Sequence, residues 1–80
     1  MTVRELIDLL QQHPAGLRVV VNGYEEGYDD LSPQQISTTE IALNTGKHAW
    51  EGQHGDLHWL RGIPDDTEVV EALVLRRVSN

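Results

Sequence analysis

The chain of 80 residues has no cysteine and no phenylalanine. Without cysteine there is neither a disulfide framework nor a thiolate zinc site, which fits a reducing compartment. Without phenylalanine, and with aromatics limited to Trp50, Trp59, Tyr24 and Tyr28, a core has to be built from Leu, Ile and Val. Basic residues are scarce as well: six Lys and Arg stand against thirteen Asp and Glu, a formal charge of −7 at pH 7. That balance argues against direct binding to nucleic acid or to an anionic membrane, both of which favour clustered Lys and Arg. Long apolar runs are also missing. Arg4, Glu5 and Asp8 interrupt the N-terminal segment where a secretory signal needs an unbroken apolar stretch, so a soluble cytoplasmic protein is expected. Eighty residues is room for one domain, 1–80, with a modest stability margin.

What is present in excess gathers in Asn22-Gly23-Tyr24-Glu25-Glu26-Gly27-Tyr28-Asp29-Asp30, where nine residues hold four carboxylates, two glycines and both tyrosines. Glycine opens backbone angles closed to other residues, tyrosine offers amphipathic contact area, and the carboxylates concentrate negative charge. Three readings compete for this loop. A calcium site needs several oxygen ligands converging from a pliable loop. The acids here come as adjacent pairs, which point in opposite directions in an extended segment, so at most one of each pair faces a shared ion. A plain solvated turn would have Asp29 or Asp30 bonding backbone amides, with Gly23 and Gly27 at positive φ. A protein-binding loop would use Tyr24, Glu25, Glu26, Tyr28, Asp29 and Asp30 as its contact surface.

The rest of the chain reads as a scaffold. Thr2 followed by Glu5 is a capping box, and Val3, Leu6, Ile7 and Leu10 then recur on one helical face lying on a core, until Pro14 and Gly16 end the pattern. Leu17 to Asn22 is a β-branched strand running into the acidic loop. Gln35 to Asn44, rich in Ile and Thr, is a second strand with Ile41 and Leu43 facing inward. His48–Glu51 and Asp56–Leu60 are expected as the arms of an irregular hairpin around Gly52 and Gly55. Glu68 to Val78 admits a helix capped by Asp66 or Thr67, but its density of valine favours a central strand. The predicted fold is α+β, one N-terminal helix packed on a three- or four-stranded, mostly antiparallel sheet. The uncovered face of that sheet leaves homodimerisation open.

Chemistry-bearing residues outside the loop are few. His48, His54 and His58, with Glu51 and Asp56 between them, invite a metal-binding alternative, although Gly55 argues against a helix that would align His54 with His58. Against it stands a set of polar side chains in an exposed loop. No nucleophile elbow occurs, so no catalytic residue and no cofactor are expected. Trp50 and Trp59 are read either as a satellite core beneath a long loop or as an interface anchor.

Thr2-Val3-Arg4-Glu5-Leu6-Ile7, Val19-Val20-Val21, the Gly23-Tyr24-Glu25-x-Gly27-Tyr28-Asp29-Asp30 loop and Glu71-Ala72-Leu73-Val74-Leu75-Arg76-Arg77 together resemble a family of small bacterial and prophage proteins. The resemblance spans most of the chain and implies an intact domain without assigning it an activity. By composition alone, short, acidic and cysteine-free, the chain is also similar to phage-encoded anti-CRISPR and anti-restriction inhibitors. That similarity implies a non-enzymatic module whose carboxylates occupy a basic groove built for phosphates on a protein or nucleoprotein complex. A small metal-binding protein and a structural, dimerising subunit are the alternatives.

Overall fold

The structure is a computed structural model and describes residues 1–77. Val78, expected within the last strand, lies outside the described residues. The fold is α+β: one N-terminal helix and two antiparallel sheets, one of two strands and one of three. The chain divides into two compact units, Met1–Ile36 with the segment from Leu75 onward, and Ser37–Val74.

In the first unit, helix α1 (Val3–Leu10) begins as its capping box requires. Thr2 Oγ1 accepts from the Glu5 N–H at 3.2 Å, and Glu5 Oε1 accepts from the Thr2 N–H at 3.0 Å. Two donors that a helix start leaves unsatisfied are thereby paired. The apolar stripe forms as its spacing predicts, but no residue of α1 is buried: Leu6 is half-buried, and Val3, Ile7 and Leu10 are exposed. The first strand is shorter than the run from Leu17 suggests. Strand β1 (Val20–Asn22) pairs with β2 (Tyr28–Asp30) in a two-stranded hairpin of its own, with Val20 opposite Asp30, Val21 opposite Asp29 and Asn22 opposite Tyr28. A single 3-10 turn, Pro33–Gln35, leads out of this unit. There the Gln35 amide accepts from the Ser32 N–H at 2.7 Å and donates to the Arg76 carbonyl at 2.7 Å, pinning the C-terminal segment.

The three-stranded sheet belongs to the second unit apart from its end residues Ile36 and Leu75. Its order is β4 (Gly55–Asp56), β3 (Ile36–Ala42), β5 (Val69–Leu75). The valine-rich C-terminal run is therefore a strand, as β-branched residues favour, but it takes an edge position instead of a central one. Its hydrogen bonds run from the Leu43 N–H to the Glu68 carbonyl at 2.9 Å and from the Arg76 N–H to the Gln35 carbonyl at 3.0 Å, so β5 is antiparallel to β3.

The hairpin expected from His48–Glu51 and Asp56–Leu60 does not form. His48–Glu51 is a turn closed by the Glu51 N–H on the His48 carbonyl, and Asp56–Leu60 winds back so that Trp59 and Leu60 both donate to the Asp56 carbonyl. Gly55–Asp56 instead pairs with Ile41–Ala42 of β3. Close approach at two glycines accompanies this course: a Cβ on Gly46 would collide with the Gly52 carbonyl, and one on Gly55 would lie 2.6 Å from Leu60 Cδ1 and 2.7 Å from Thr45 Oγ1. Glycine at both positions lets the segment fold tightly against itself.

Among the described residues Ala42 alone is buried; Ile41 and Leu43, expected to face inward, are half-buried. Trp50 and Trp59 are 81% and 84% exposed, which overturns the satellite-core reading for both. No helix among the described residues is long and apolar enough to cross a membrane.

Candidate functional site

The acidic loop is the tip of the β1–β2 hairpin. The Gly27 N–H donates to the Tyr24 carbonyl at 2.9 Å, closing a four-residue turn with Glu25 and Glu26 at its centre. Both glutamates are left-handed, with φ of 51° and 64°. That is the turn expected between twisted antiparallel strands, because positive φ at both central positions matches the strand twist. The residues suited to it are Asn and Gly, and here it is made by two glutamates. Gly23 and Gly27, expected at positive φ, are not left-handed; among the described glycines only Gly62 is. The Gly23 N–H donates to the Gly27 carbonyl at 2.8 Å, so Gly23 and Tyr24 both face Gly27 and the first arm carries one extra residue. Gly23 is needed for space: a Cβ there would sit 3.0 Å from Asp29 Oδ2.

Each member of the predicted contact surface has a distinct place. Glu25 and Glu26 are exposed at the apex, and no ion pair or side-chain hydrogen bond among the described residues engages them. Tyr24 and Tyr28 flank them, 76% and 74% exposed. In the register of the hairpin, Tyr28 and Asp30 share one face with Val20 and Asn22, while Asp29 sits half-buried on the other with Val21. The six residues therefore occupy an apex and two faces, and Asp29 and Asp30 diverge as adjacent residues of an extended strand must.

Two arginines belong to this surface that the sequence pattern did not mark. Arg18 forms a two-pronged bond to Asp30, Nε to Oδ1 at 2.9 Å and Nη2 to Oδ2 at 2.8 Å. This hydrogen bond, with the opposite charge behind it, lowers the Asp30 pKa from the ordinary carboxylate value and raises that of Arg18. The expectation that Asp29 or Asp30 would bond backbone amides gives way to this side-chain pair. Arg77 places its guanidinium carbon 4.0 Å from the centre of the Tyr24 ring, a cation–π contact that orients the ring. A cation twelve residues from Asp30, just before a β-branched strand, was the available signal for Arg18; nothing local marks Arg77.

Charge is divided unevenly between the units. The hairpin's unit holds six carboxylates and four arginines, whereas Ser37–Val74 holds seven carboxylates with only Lys47 and Arg61. Most of the −7 therefore lies outside the unit that contains the loop, and the negative character of the tip is the local work of Glu25, Glu26 and Asp29. Lys47 and Arg61 both line one cavity of about 380 Å³, whose wall includes Leu60, Ile63 and Thr67.

The histidines do not converge. His48 stacks on Trp50 with ring centres 4.4 Å apart and planes within 3°, and its Nε2 lies 3.9 Å from Glu51 Oε1. His54 Nδ1 accepts the Asn44 N–H at 2.9 Å, beside a Gln53-to-Asn44 side-chain bond at 3.0 Å. Those bonds secure Asn44 in its left-handed conformation, φ 57°. The His58 N–H is tied to Asp56 Oδ1 at 2.9 Å. Among the described residues no group of three or more His, Cys, Asp or Glu is placed to hold a metal ion. Comparison with protein-family models, curated proteins and solved structures finds no match for the chain.

Proposed function

We propose that the chain is a non-enzymatic binding module whose β1–β2 tip engages a basic protein surface, in the manner of a phage-type inhibitor that occupies a nucleic-acid-binding groove. One observation carries this reading: two adjacent non-glycine residues held left-handed at an exposed apex, both of them glutamates. Each such residue costs of the order of 1 kcal/mol, and strain of this kind collects at binding and switch sites. A turn selected for stability alone would carry Asn-Gly. Glu25 and Glu26 place two negative charges at the apex, and Asp29 adds a third on the half-buried face. Tyr24 and Tyr28 add large, mostly exposed amphipathic rings beside them, the composition of an interface centre with a charged rim. Arg18 holds Asp30 and Arg77 holds Tyr24, so part of the surface is ordered before any partner arrives.

Immobilised wild-type chain and its Glu25→Gln/Glu26→Gln variant, exposed to lysate of the source organism at low and high salt, provide the test. Glutamine keeps the side-chain shape and removes the charge. The wild type is expected to retain basic proteins that salt or added DNA releases, and the variant is expected to lose them. Retention of the same proteins by the variant, with the same salt dependence, overturns the proposal.

A further inference from the structure

The second unit has only two cations, Lys47 and Arg61, and both stand on the wall of its cavity of about 380 Å³. Of the unit's seven carboxylates, Glu51 alone lines that wall. In a chain of formal charge −7 the cavity is therefore net positive. The backbone brings this about. The Leu43 N–H bonds the Glu68 carbonyl at 2.9 Å where β3 ends and β5 begins, so the segment 44–47 leaves the sheet beside the segment 61–67 that enters it. Asn44 and Gly62 turn these segments through left-handed conformations, φ 57° and 68°, and the Thr67 N–H closes a turn on the Pro64 carbonyl at 3.0 Å.

The wall is rich in donors. Glu51, its one carboxylate, is already committed: Oε2 accepts the Lys47 N–H at 3.1 Å and Oε1 lies 3.9 Å from His48 Nε2. No ion pair or side-chain hydrogen bond among the described residues engages the Lys47 ammonium or the Arg61 guanidinium. Asn44 Oδ1 accepts from Gln53 Nε2 at 3.0 Å, which leaves the Asn44 NH2 to donate, and Thr45 and Thr67 add hydroxyls. Leu60, Ile63 and Pro64 make up an apolar part of the same wall.

We propose that this cavity binds a small phosphate monoester, its charged head on Lys47 and Arg61 and its organic group against Leu60, Ile63 and Pro64. Charge selects an anion, because two cations without a counter-charge in a concave, partly apolar wall focus their field on whatever enters. The number of cations selects phosphate over carboxylate. A monoester carries about −1.5 to −2 near pH 7 and meets both, whereas a carboxylate meets one. The planar fork of Arg61 suits two phosphate oxygens and the Lys47 ammonium acts on the head as a point charge. Six carboxylates of the unit lie off this wall and repel a polyanion such as nucleic acid, so the ligand is small. The volume falls in the range of small-molecule sites. The site lies wholly within the second unit and asks nothing of the hairpin tip.

Phenyl phosphate is the probe, titrated into the isotope-labelled full chain and followed by the backbone amide resonances. It is expected to shift Thr45, Lys47, Gly62 and Thr67 and to leave the amides of the β1–β2 hairpin in place. Benzoate, with one charge on the same ring, and inorganic phosphate, with the charge and no ring, are each expected to bind more weakly, and phenol not at all. Lys47→Gln and Arg61→Gln each remove one charged donor from an exposed position and are expected to weaken phenyl phosphate about tenfold. Either variant decides the matter should the other fail to fold. Glu51→Gln keeps an acceptor for the Lys47 N–H and removes the one negative charge on the wall, so it is expected to tighten binding. Absence of shifts at these four amides up to about 10 mM phenyl phosphate, where a site of Kd about 1 mM is mostly filled, overturns the proposal. So does benzoate, phenol or inorganic phosphate that binds as tightly, a folded Lys47→Gln or Arg61→Gln that binds unchanged, or a Glu51→Gln that binds no better.

Discussion

Replacing Glu25 by Asn and Glu26 by Gly gives the hairpin the turn residues its backbone already demands. With φ at 51° and 64°, each glutamate sits where an L side chain crowds its own carbonyl, at about 1 kcal/mol or somewhat more. Asn tolerates this region, so Glu25→Asn recovers about 1 kcal/mol. Gly removes the crowding altogether, but the unfolded chain gains freedom worth roughly 0.5 kcal/mol, leaving about 0.5 kcal/mol net. Together the changes are expected to stabilise the hairpin by about 1.5 kcal/mol, a factor of about ten in its opening equilibrium. Amide hydrogen exchange reads that factor locally. The Gly27 N–H on the Tyr24 carbonyl and the Gly23 N–H on the Gly27 carbonyl are expected to exchange about tenfold more slowly in the double variant. Exchange that is unchanged or faster refutes the view that the turn stores strain. The same variant lacks both apical charges, so under the proposed function it holds its shape better and binds worse.

Three further perturbations follow from the geometry. Thr2→Ala breaks the capping box and is expected to cost about 1 kcal/mol of helix stability, seen as lost helical circular dichroism. Because Arg18 lowers the Asp30 pKa, the pair's small contribution is present above the ordinary carboxylate range and lost as pH falls through the depressed value, below about pH 4. An NMR titration should find Asp30 lower in the wild type than in Arg18→Gln; an Asp30 that titrates alike in both contradicts the pairing. Gly46→Ala drives a methyl against the Gly52 carbonyl and is expected to destabilise the second unit by about 1–3 kcal/mol in a urea melt, whereas Gly16→Ala, which meets nothing within 4 Å, should leave it unchanged.

Local rules were readable wherever a short stretch decides its own conformation. Thr2 and Glu5 announce the start of α1, and the valines after Thr67 announce β5, because capping and β-branching act over a few residues. The hairpin tip was legible as a candidate site from its composition, but its backbone was not. Two glycines drew the left-handed conformation to themselves on propensity, while the pairing of Asn22 with Tyr28 placed it on the glutamates between them. Long-range choices were not legible at all. Gly55–Asp56 pairs with Ile41–Ala42 where Gly46 passes close to the Gly52 carbonyl and Gly55 lies against the side chains of Leu60 and Thr45, proximities visible only once the chain is folded. Arg77 over Tyr24 spans most of the sequence, and no spacing rule connects them.

A chain in which Ala42 is the one buried residue described has an unusual thermal character. The heat-capacity increment of unfolding comes mainly from apolar surface newly wetted, and here nearly every apolar side chain described is already partly wet. The stability curve of the isolated chain should therefore be shallow, its melt broad and its sensitivity to cold slight. Any association that covers the apolar residues restores the missing curvature, so calorimetry as a function of concentration would register assembly as a sharpening of the transition before it registers as a shift.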